Sequence, residues 1–200
     1  MQRLLLLTLM LCVKLTFAQS TKEPFKKFGF QIGANTANMN FNLGSTATAE
    51  HTDNVWKTGM TFGFILYIPL ASKLTLQSEY SFTHRNGSDN SLDVDYSSDY
   101  LTIPLLLKYQ VTNKFSFLAG PQVELLINAK SINKGTSTDI THQVEERSIG
   151  ITGGFEYDFI NPFFLSLRYF QGLNNIGIFQ RSDVKEFKFE VVTFTAGIKF

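Results

Sequence analysis

Two hundred residues, a hydrophobic fraction of 44% and a formal net charge of +1 fit one folded domain. That balance excludes the charge-driven disorder of a low-hydrophobicity chain and the basic excess of a nucleic-acid binder, so no nucleic-acid partner is expected. Aromatic residues make up 14%, with 20 Phe against a single Trp, a supply of rings suited to lipid and its interfaces.

The first segment reads as an export signal. Arg3 precedes the apolar run Leu4 to Val13, and Thr16-Phe17-Ala18 ends it in a small-x-small pattern with cleavage expected after Ala18. Cys12 falls inside this peptide behind Leu11, which argues against a lipoprotein site and leaves the mature chain without a cysteine. Beyond it no stretch approaches the roughly 18 to 20 consecutive apolar residues of a transmembrane helix. The mature chain instead alternates with period two, and such alternation dilutes hydropathy when lipid-facing and lumen-facing residues take turns.

In chain order, the first strand is expected over Phe28 to Ala37. In Trp56 to Ile68, Trp56, Met60, Phe62, Phe64 and Ile68 share one face, while Lys57, Gly59, Thr61 and Gly63 share the other. Leu74 to His84 sets Leu74, Leu76, Tyr80 and Phe82 against Thr75, Gln77, Glu79, Ser81 and Thr83, a mid-strand carboxylate that calls for a polar interior. Tyr100 to Tyr109 follows, with a bulge expected at Pro104, which lacks a ladder donor. Lys114 to Asn128 repeats the mid-strand carboxylate at Glu124, and Ser148 to Asp158 carries another at Glu156. Phe163 to Gln171 opposes Leu165, Leu167 and Tyr169 to Ser166, Arg168 and Phe170. The last strand runs through Val191 to Phe200, with Val192, Phe194, Ala196, Ile198 and Phe200 on its apolar face.

Each segment has about the 9 to 11 residues that a tilted strand needs to cross a bilayer. The connections alternate between short ones (Pro69 to Lys73, Gln110 to Asn113, Asp158 to Pro162) and long polar ones (Asn38 to Val55, Arg85 to Asp99, Lys130 to Arg147, Gly172 to Glu186). Short periplasmic turns and longer outer loops are the habit of outer-membrane barrels. The expected fold is therefore all-β, an eight-stranded antiparallel transmembrane up-and-down β-barrel, organised as signal peptide 1–18, N-terminal periplasmic segment 19–27 and barrel 28–200.

Phe30-Gln31-Ile32-Gly33-Ala34-Asn35, Leu101-Thr102-Ile103-Pro104-Leu105-Leu106-Leu107-Lys108-Tyr109, Ala119-Gly120-Pro121, Arg168-Tyr169 with Gly172-Leu173, and the terminal aromatic strand resemble the PorT-like outer-membrane β-barrel proteins in order and spacing. The resemblance covers essentially the whole mature chain and implies an outer-membrane barrel of about eight strands. The family's founding member is linked to secretion and gliding, a role that no motif here carries over.

The charges on the less apolar face are Glu79, Lys108, Glu124, Glu156 and Arg168. They read as a paired plug filling a narrow lumen rather than as a catalytic or conducting set, because eight strands enclose a space just wide enough for side chains and buried charges must pair. Small residues on the same face, Gly59, Gly63, Gly120, Gly150 and Gly154, leave room for them. Shared parity and depth couple Arg168 to Glu124, with Glu79 or Glu156 as the alternatives. Asp89, Asp93, Asp95 and Asp99 lack the Gly and final Glu of an EF-hand and read as a solvated outer loop. His51, His84 and His142 show no metal-ligand spacing, so neither a metal nor another cofactor is expected. Phe194, Ile198 and Phe200 form the expected C-terminal assembly signal for the barrel assembly machinery.

The sequence supports a non-enzymatic barrel in outer-membrane lipid, serving envelope structure or surface interaction through its loops with an extracellular or periplasmic protein partner. Two alternatives differ in class. One is a lipid-modifying enzyme using His84 at the outer rim, although no Ser/His/acid spacing supports it. The other is a soluble lipocalin-like carrier, since alternation alone does not say which face points inward.

Overall fold

The computed structural model describes residues 27–40, 55–89, 94–133, 135–180 and 183–200. The expected signal peptide and all but the last residue of the 19–27 segment lie outside these residues, as do His51 and Asp93. Ten strands follow one another: β1 (Phe28–Asn40), β2 (Lys57–Ala71), β3 (Leu74–Asp89), β4 (Val94–Gln110), β5 (Phe115–Asn133), β6 (Thr136–Asp139), β7 (Arg147–Ile160), β8 (Phe163–Gly172), β9 (Ile176–Gln180) and β10 (Asp183–Lys199), with one 3-10 turn at Thr141–Gln143.

Eight of them make the wall. The order β1-β2-β3-β4-β5-β7-β8-β10 is antiparallel throughout and closes by pairing β1 with β10, from Gly29 opposite Lys199 to Asn40 opposite Lys188. The seam continues past the strand ends: the Phe28 amide donates to the Phe200 carbonyl at 3.1 Å and the Phe200 amide to the Phe28 carbonyl at 2.9 Å. Closure is what a sheet in hydrocarbon requires, because an open edge would leave backbone donors and acceptors with no partner. β6 and β9 are short outliers, paired to β5 and β10 respectively.

The expected parity holds along the wall. Phe62, Phe64, Tyr80, Leu105, Leu107, Phe117, Ile151 and Phe194 are exposed, while Thr61, Gln77, Glu79, Thr102, Lys108, Glu124, Glu156, Arg168 and Thr195 are buried inside. The apolar face thus points outward and the polar face inward, the opposite of a lipocalin-like carrier. No helix among the described residues is long and apolar enough to cross a membrane, and the strands do the crossing.

Four expectations about local structure change. Within Arg85 to Asp99 the described residues are paired strand rather than loop, with β3 and β4 paired from His84 opposite Asp99 to Asp89 opposite Val94. The outer face there is polar, with Asn86, Ser88 and Asp95 on it, while Val94 and Tyr96 turn inward to a buried cluster, so the backbone ladder continues where apolar-out alternation stops reporting it. The acidic group accordingly sits on strands, where Asp95 meets Lys57 at 3.1 Å and Asp99 meets His84 at 2.7 Å. Lys130 to Arg147 and Gly172 to Glu186 contain β6, the 3-10 turn and β9 rather than irregular chain. Pro104 makes no bulge: the β3–β4 and β4–β5 registers are the same on both sides of it. The β4–β5 shift lies instead between Asp99 and Tyr100, which oppose Asn128 and Leu126 and leave Ile127 as the extra residue.

Leu105 lies at the centre of the apolar outward run of β4, and Asp95 lies on the same strand beyond that run. Leu105→Arg is expected to cost about 2 to 4 kcal/mol of folding stability in liposomes, the price of a guanidinium at the bilayer midplane. Asp95→Arg should cost no more than about 1 kcal/mol, since it removes an exposed ion pair with Lys57 and a surface hydrogen bond with Ser88. Denaturant titration of both variants against the parent checks this, and equal losses would contradict the assigned depth.

Candidate functional site: the filled lumen

Three charged layers and one apolar layer occupy the barrel interior. In the first layer, Glu79 of β3 accepts two bonds from Arg168 Nη1 of β8, at 2.7 and 2.8 Å. Gln31 and Gln77 each donate to the same carboxylate at 2.6 Å. Arg168 Nη2 and Thr195 Oγ1 both donate to Gln31 Oε1 at 3.1 Å. Both Glu79 oxygens are therefore saturated by donors, the condition under which a desolvated carboxylate is tolerable. In the ring order β3 and β8 stand four strands apart, so this pair spans the full width of the barrel.

The second layer is Arg85 with Glu124, which is completely buried. Arg85 Nη1 donates to Glu124 Oε2 at 2.6 Å, Arg85 Nη2 bonds the other oxygen, and Gln122 donates to that oxygen at 2.7 Å. The fork geometry is the bidentate arrangement that arginine offers and lysine cannot. The far side of the guanidinium faces aromatic rings, with the Phe189, Tyr100 and Phe170 centroids at 5.0, 5.4 and 5.7 Å.

Those rings belong to the apolar layer, at the long-loop end. Met39 of β1, Tyr96 and Tyr100 of β4, Ile140 and Val144 of the β6–β7 connection, Phe170 of β8, Ile176 and Ile178 of β9, and Phe187 and Phe189 of β10 form one buried cluster. Tyr100 and Phe187 each meet Phe189 edge to face, at 5.7 and 5.0 Å. The cluster closes the barrel mouth with a small hydrophobic core.

The third charged layer lies at the short-turn end. Glu156 of β7 bonds Lys108 of β4 and, at 2.7 Å, Lys199 of β10, and Lys199 also bonds Asp158. Glycines make space for the larger fillers. A Cβ on Gly154 would lie 2.8 Å from Arg168 Cγ, one on Gly150 2.5 Å from the Phe170 ring, and one on Gly197 2.3 Å from the Phe164 ring.

All five sequence-derived lumen charges thus face inward and pair, but the partners differ from the expectation. Arg168 pairs with Glu79, one of the two alternatives, and not with Glu124. Glu124 pairs with Arg85, which sequence reasoning assigned to a loop because its flanks, Asn86 to Asp89, show no apolar face. Lys199 was on the interior face by parity but outside the charge set. The expected plug was purely ionic, whereas the outer half is apolar, contributed by the loop-end segments where alternation is least regular.

His84 faces outward near the rim, half-buried, with Nδ1 2.7 Å from Asp99 Oδ1. An oriented imidazole needs a nucleophile to become a catalytic set, and no serine hydrogen-bonds it among the described residues. His142 is exposed in the 3-10 turn. No group of three or more metal-ligating side chains exists among the described residues. Phe194 is exposed on the outer face of β10 and Phe200 is exposed just past its end, where its ring stacks on Phe28 at 6.4 Å.

The family described as "Outer membrane protein beta-barrel domain" matches residues 17–177. Among solved structures, Neisserial surface protein A is similar with a TM-score of 0.54 at 13% identity, over 86% of this chain and 97% of that one. Ail, the attachment invasion locus protein of Yersinia pestis, aligns with a TM-score of 0.49 at 13% identity, over 88% of this chain and 100% of its own. OprG from Pseudomonas aeruginosa aligns at 0.43 and 18% identity, over 88% and 97%. At 13% identity the likeness to Neisserial surface protein A reports the fold alone. No curated protein matches.

The assigned pairs predict specific couplings. Arg85→Ala and Arg168→Ala should each destabilise by about 3 to 5 kcal/mol, because each strands a buried carboxylate. Arg85→Ala with Glu124→Ala, and Arg168→Ala with Glu79→Ala, should recover part of that loss, whereas Arg168→Ala with Glu124→Ala should recover none. Urea unfolding of the set in detergent reads the cycles; recovery in the crossed pair would reject the pairing.

Proposed function

Because the chain belongs to the outer membrane protein beta-barrel domain family, we propose that it acts without catalysis or conduction, as a sealed barrel that anchors a surface-exposed head in the outer membrane. The observation that carries this reading is the filling of the lumen inward of its short-turn mouth, from the Glu156 ion pairs through the Glu79 and Glu124 layers to the aromatic cluster. An ion path would have to break paired charges or open an apolar plug, and a dewetted apolar constriction is itself a barrier to ions.

The head is the second support. β3, β4, β5 and β10 run for 16 to 19 residues, more than the roughly 9 to 11 needed to span a bilayer. The surplus pairs with β6 and β9 at the long-loop end and packs over the aromatic cluster. A folded extension is what a contact surface needs, since ordering is completed before a partner arrives. By the habit of outer-membrane barrels this end faces outside and the turns at Lys73, Asn113 and Pro162 face the periplasm. The quoted stretches, Leu101 to Tyr109 above all, support the PorT-like group as the finer assignment, and Phe194 and Ile198 on the outer face of β10, with Phe200 just past its end, support their use as an assembly signal.

Purified protein in planar bilayers is expected to show no steady conductance, and an epitope inserted at Ser137 should be stained on intact cells. Large stable channels, or staining only after permeabilisation, would overturn the proposal.

A further inference from the structure

The short-turn end of the lumen holds a cavity of about 150 Å³ lined by Tyr67, Lys73, Lys108, Lys199 and Asp158, with Gln110 at its edge. Its volume equals that of a cavity known to hold a benzene-sized guest and falls below the range of sites for drug-sized ligands, so the occupant is small. Two of its features bear on what it holds, although Gln77 Oε1, Arg85 Nε and the Tyr100 hydroxyl deeper in also lack a partner among the described residues. The Tyr67 hydroxyl lies on a side chain only 4% exposed and has no hydrogen-bond partner among the described residues. A buried hydroxyl without a partner costs on the order of 1 to 3 kcal/mol.

The second feature is charge. Lys108 and Lys199 engage two carboxylates, Glu156 and Asp158, leaving Glu156 Oε2 without a partner, and Lys73 lines the cavity as a third cation. Lys73 is exposed at the turn between β2 and β3, with its backbone carbonyl accepting from the Gln110 amide at 2.8 Å. The Lys108 and Lys199 ammonium groups lie 5.3 and 5.9 Å from the centre of the Tyr67 ring. The cavity therefore combines one surplus positive charge, ammonium donors not exhausted by their carboxylates, and an idle hydroxyl donor. Lys27 and Lys114 are exposed at the same end of the barrel and add to a field that draws anions toward this mouth.

We propose that this cavity binds a small oxyanion, entering from the short-turn side, with Tyr67 Oη donating to it and Lys73 closing the charge balance. The shared chemistry is a compact, multiply accepting anionic group such as phosphate, which would satisfy the Tyr67 hydroxyl and neutralise the third lysine together. It rests on the fold and the lumen geometry, not on the surface role proposed above.

Side-chain NMR of lysine-labelled protein tests it. In an uncharged detergent, inorganic phosphate should shift the Lys108 and Lys199 signals saturably, against a chloride control of equal ionic strength. Tyr67→Phe should weaken the midpoint about five-fold, the equivalent of one hydrogen bond, and Lys73→Gln at least as much. Heat-modifiable gel mobility verifies that both variants fold, and Lys73 is exposed enough that its replacement leaves the core untouched. Nanodiscs separate the sources. If a lipid headgroup is the natural occupant, phosphatidylglycerol discs already show the shifted signals and added phosphate moves them no further; if a free anion is, phosphate acts alike in phosphatidylglycerol and phosphatidylcholine discs. A linear response equal in parent and variants would mean that the cavity holds only water, and would overturn the site.

Discussion

Hydrocarbon offers a backbone no hydrogen-bond partner, and the rest of this structure follows from that constraint. A sheet of this length has to close, and β1 meets β10 over twelve successive register positions, Gly29 to Asn40. Closing at eight strands leaves an interior only as wide as side chains. Period-two alternation then forces half of every strand into that interior, so its contents must be chosen as carefully as any core. Glu79, Glu124 and Glu156 are acceptable there because each meets a cation on a strand that is not its sheet neighbour.

Those cross-lumen pairs have a structural consequence beyond their own energy. Removing a charge from water costs several kcal/mol, which a good pair roughly offsets, so burial of the pairs is weak grounds for stability as such. Register is another matter. A one-residue slip of β3 would turn Glu79 and Arg85 to the lipid together, breaking the contacts to β8 and β5 at once. The two carboxylate layers tie walls that the hydrogen-bond ladder does not connect directly, and Arg85 joins the ionic half to the apolar half through the rings of Tyr100, Phe170 and Phe189.

The wall was legible in the sequence because its information is local. Outward Phe64 and Leu105 and inward Glu79 and Lys108 are read from parity alone, and parity needs no knowledge of neighbours. Pairing is not local. Arg168 and Glu124 share a face, but depth along a tilted strand depends on shear, which alternation does not encode, and so parity leaves the partner of Arg168 open among Glu124, Glu79 and Glu156. Arg85 escapes for a different reason: the ladder outruns the apolar belt, and strand beyond the membrane carries polar residues on its outer face as well, as at Asn86 and Ser88. The aromatic plug is drawn from β1, β4, β8, β9 and β10, segments whose convergence only the closed barrel reveals. Pro104 was read through its missing donor, yet the register passes it unshifted and the bulge appears at Ile127, opposite Asp99 and Tyr100.

The central claim is that the lumen is sealed, and water contact at the buried guanidinium groups tests it most directly. Arg85 and Arg168 are 3% and 8% exposed, whereas Arg147 at the loop end is open to solvent and serves as the internal standard. In lipid bilayers, arginine-detected NMR should show slow exchange and no water cross-peaks for Arg85 and Arg168 alongside rapid exchange for Arg147. Exchange at Arg85 and Arg168 as fast as at Arg147 would mean a water-filled lumen and would contradict the account.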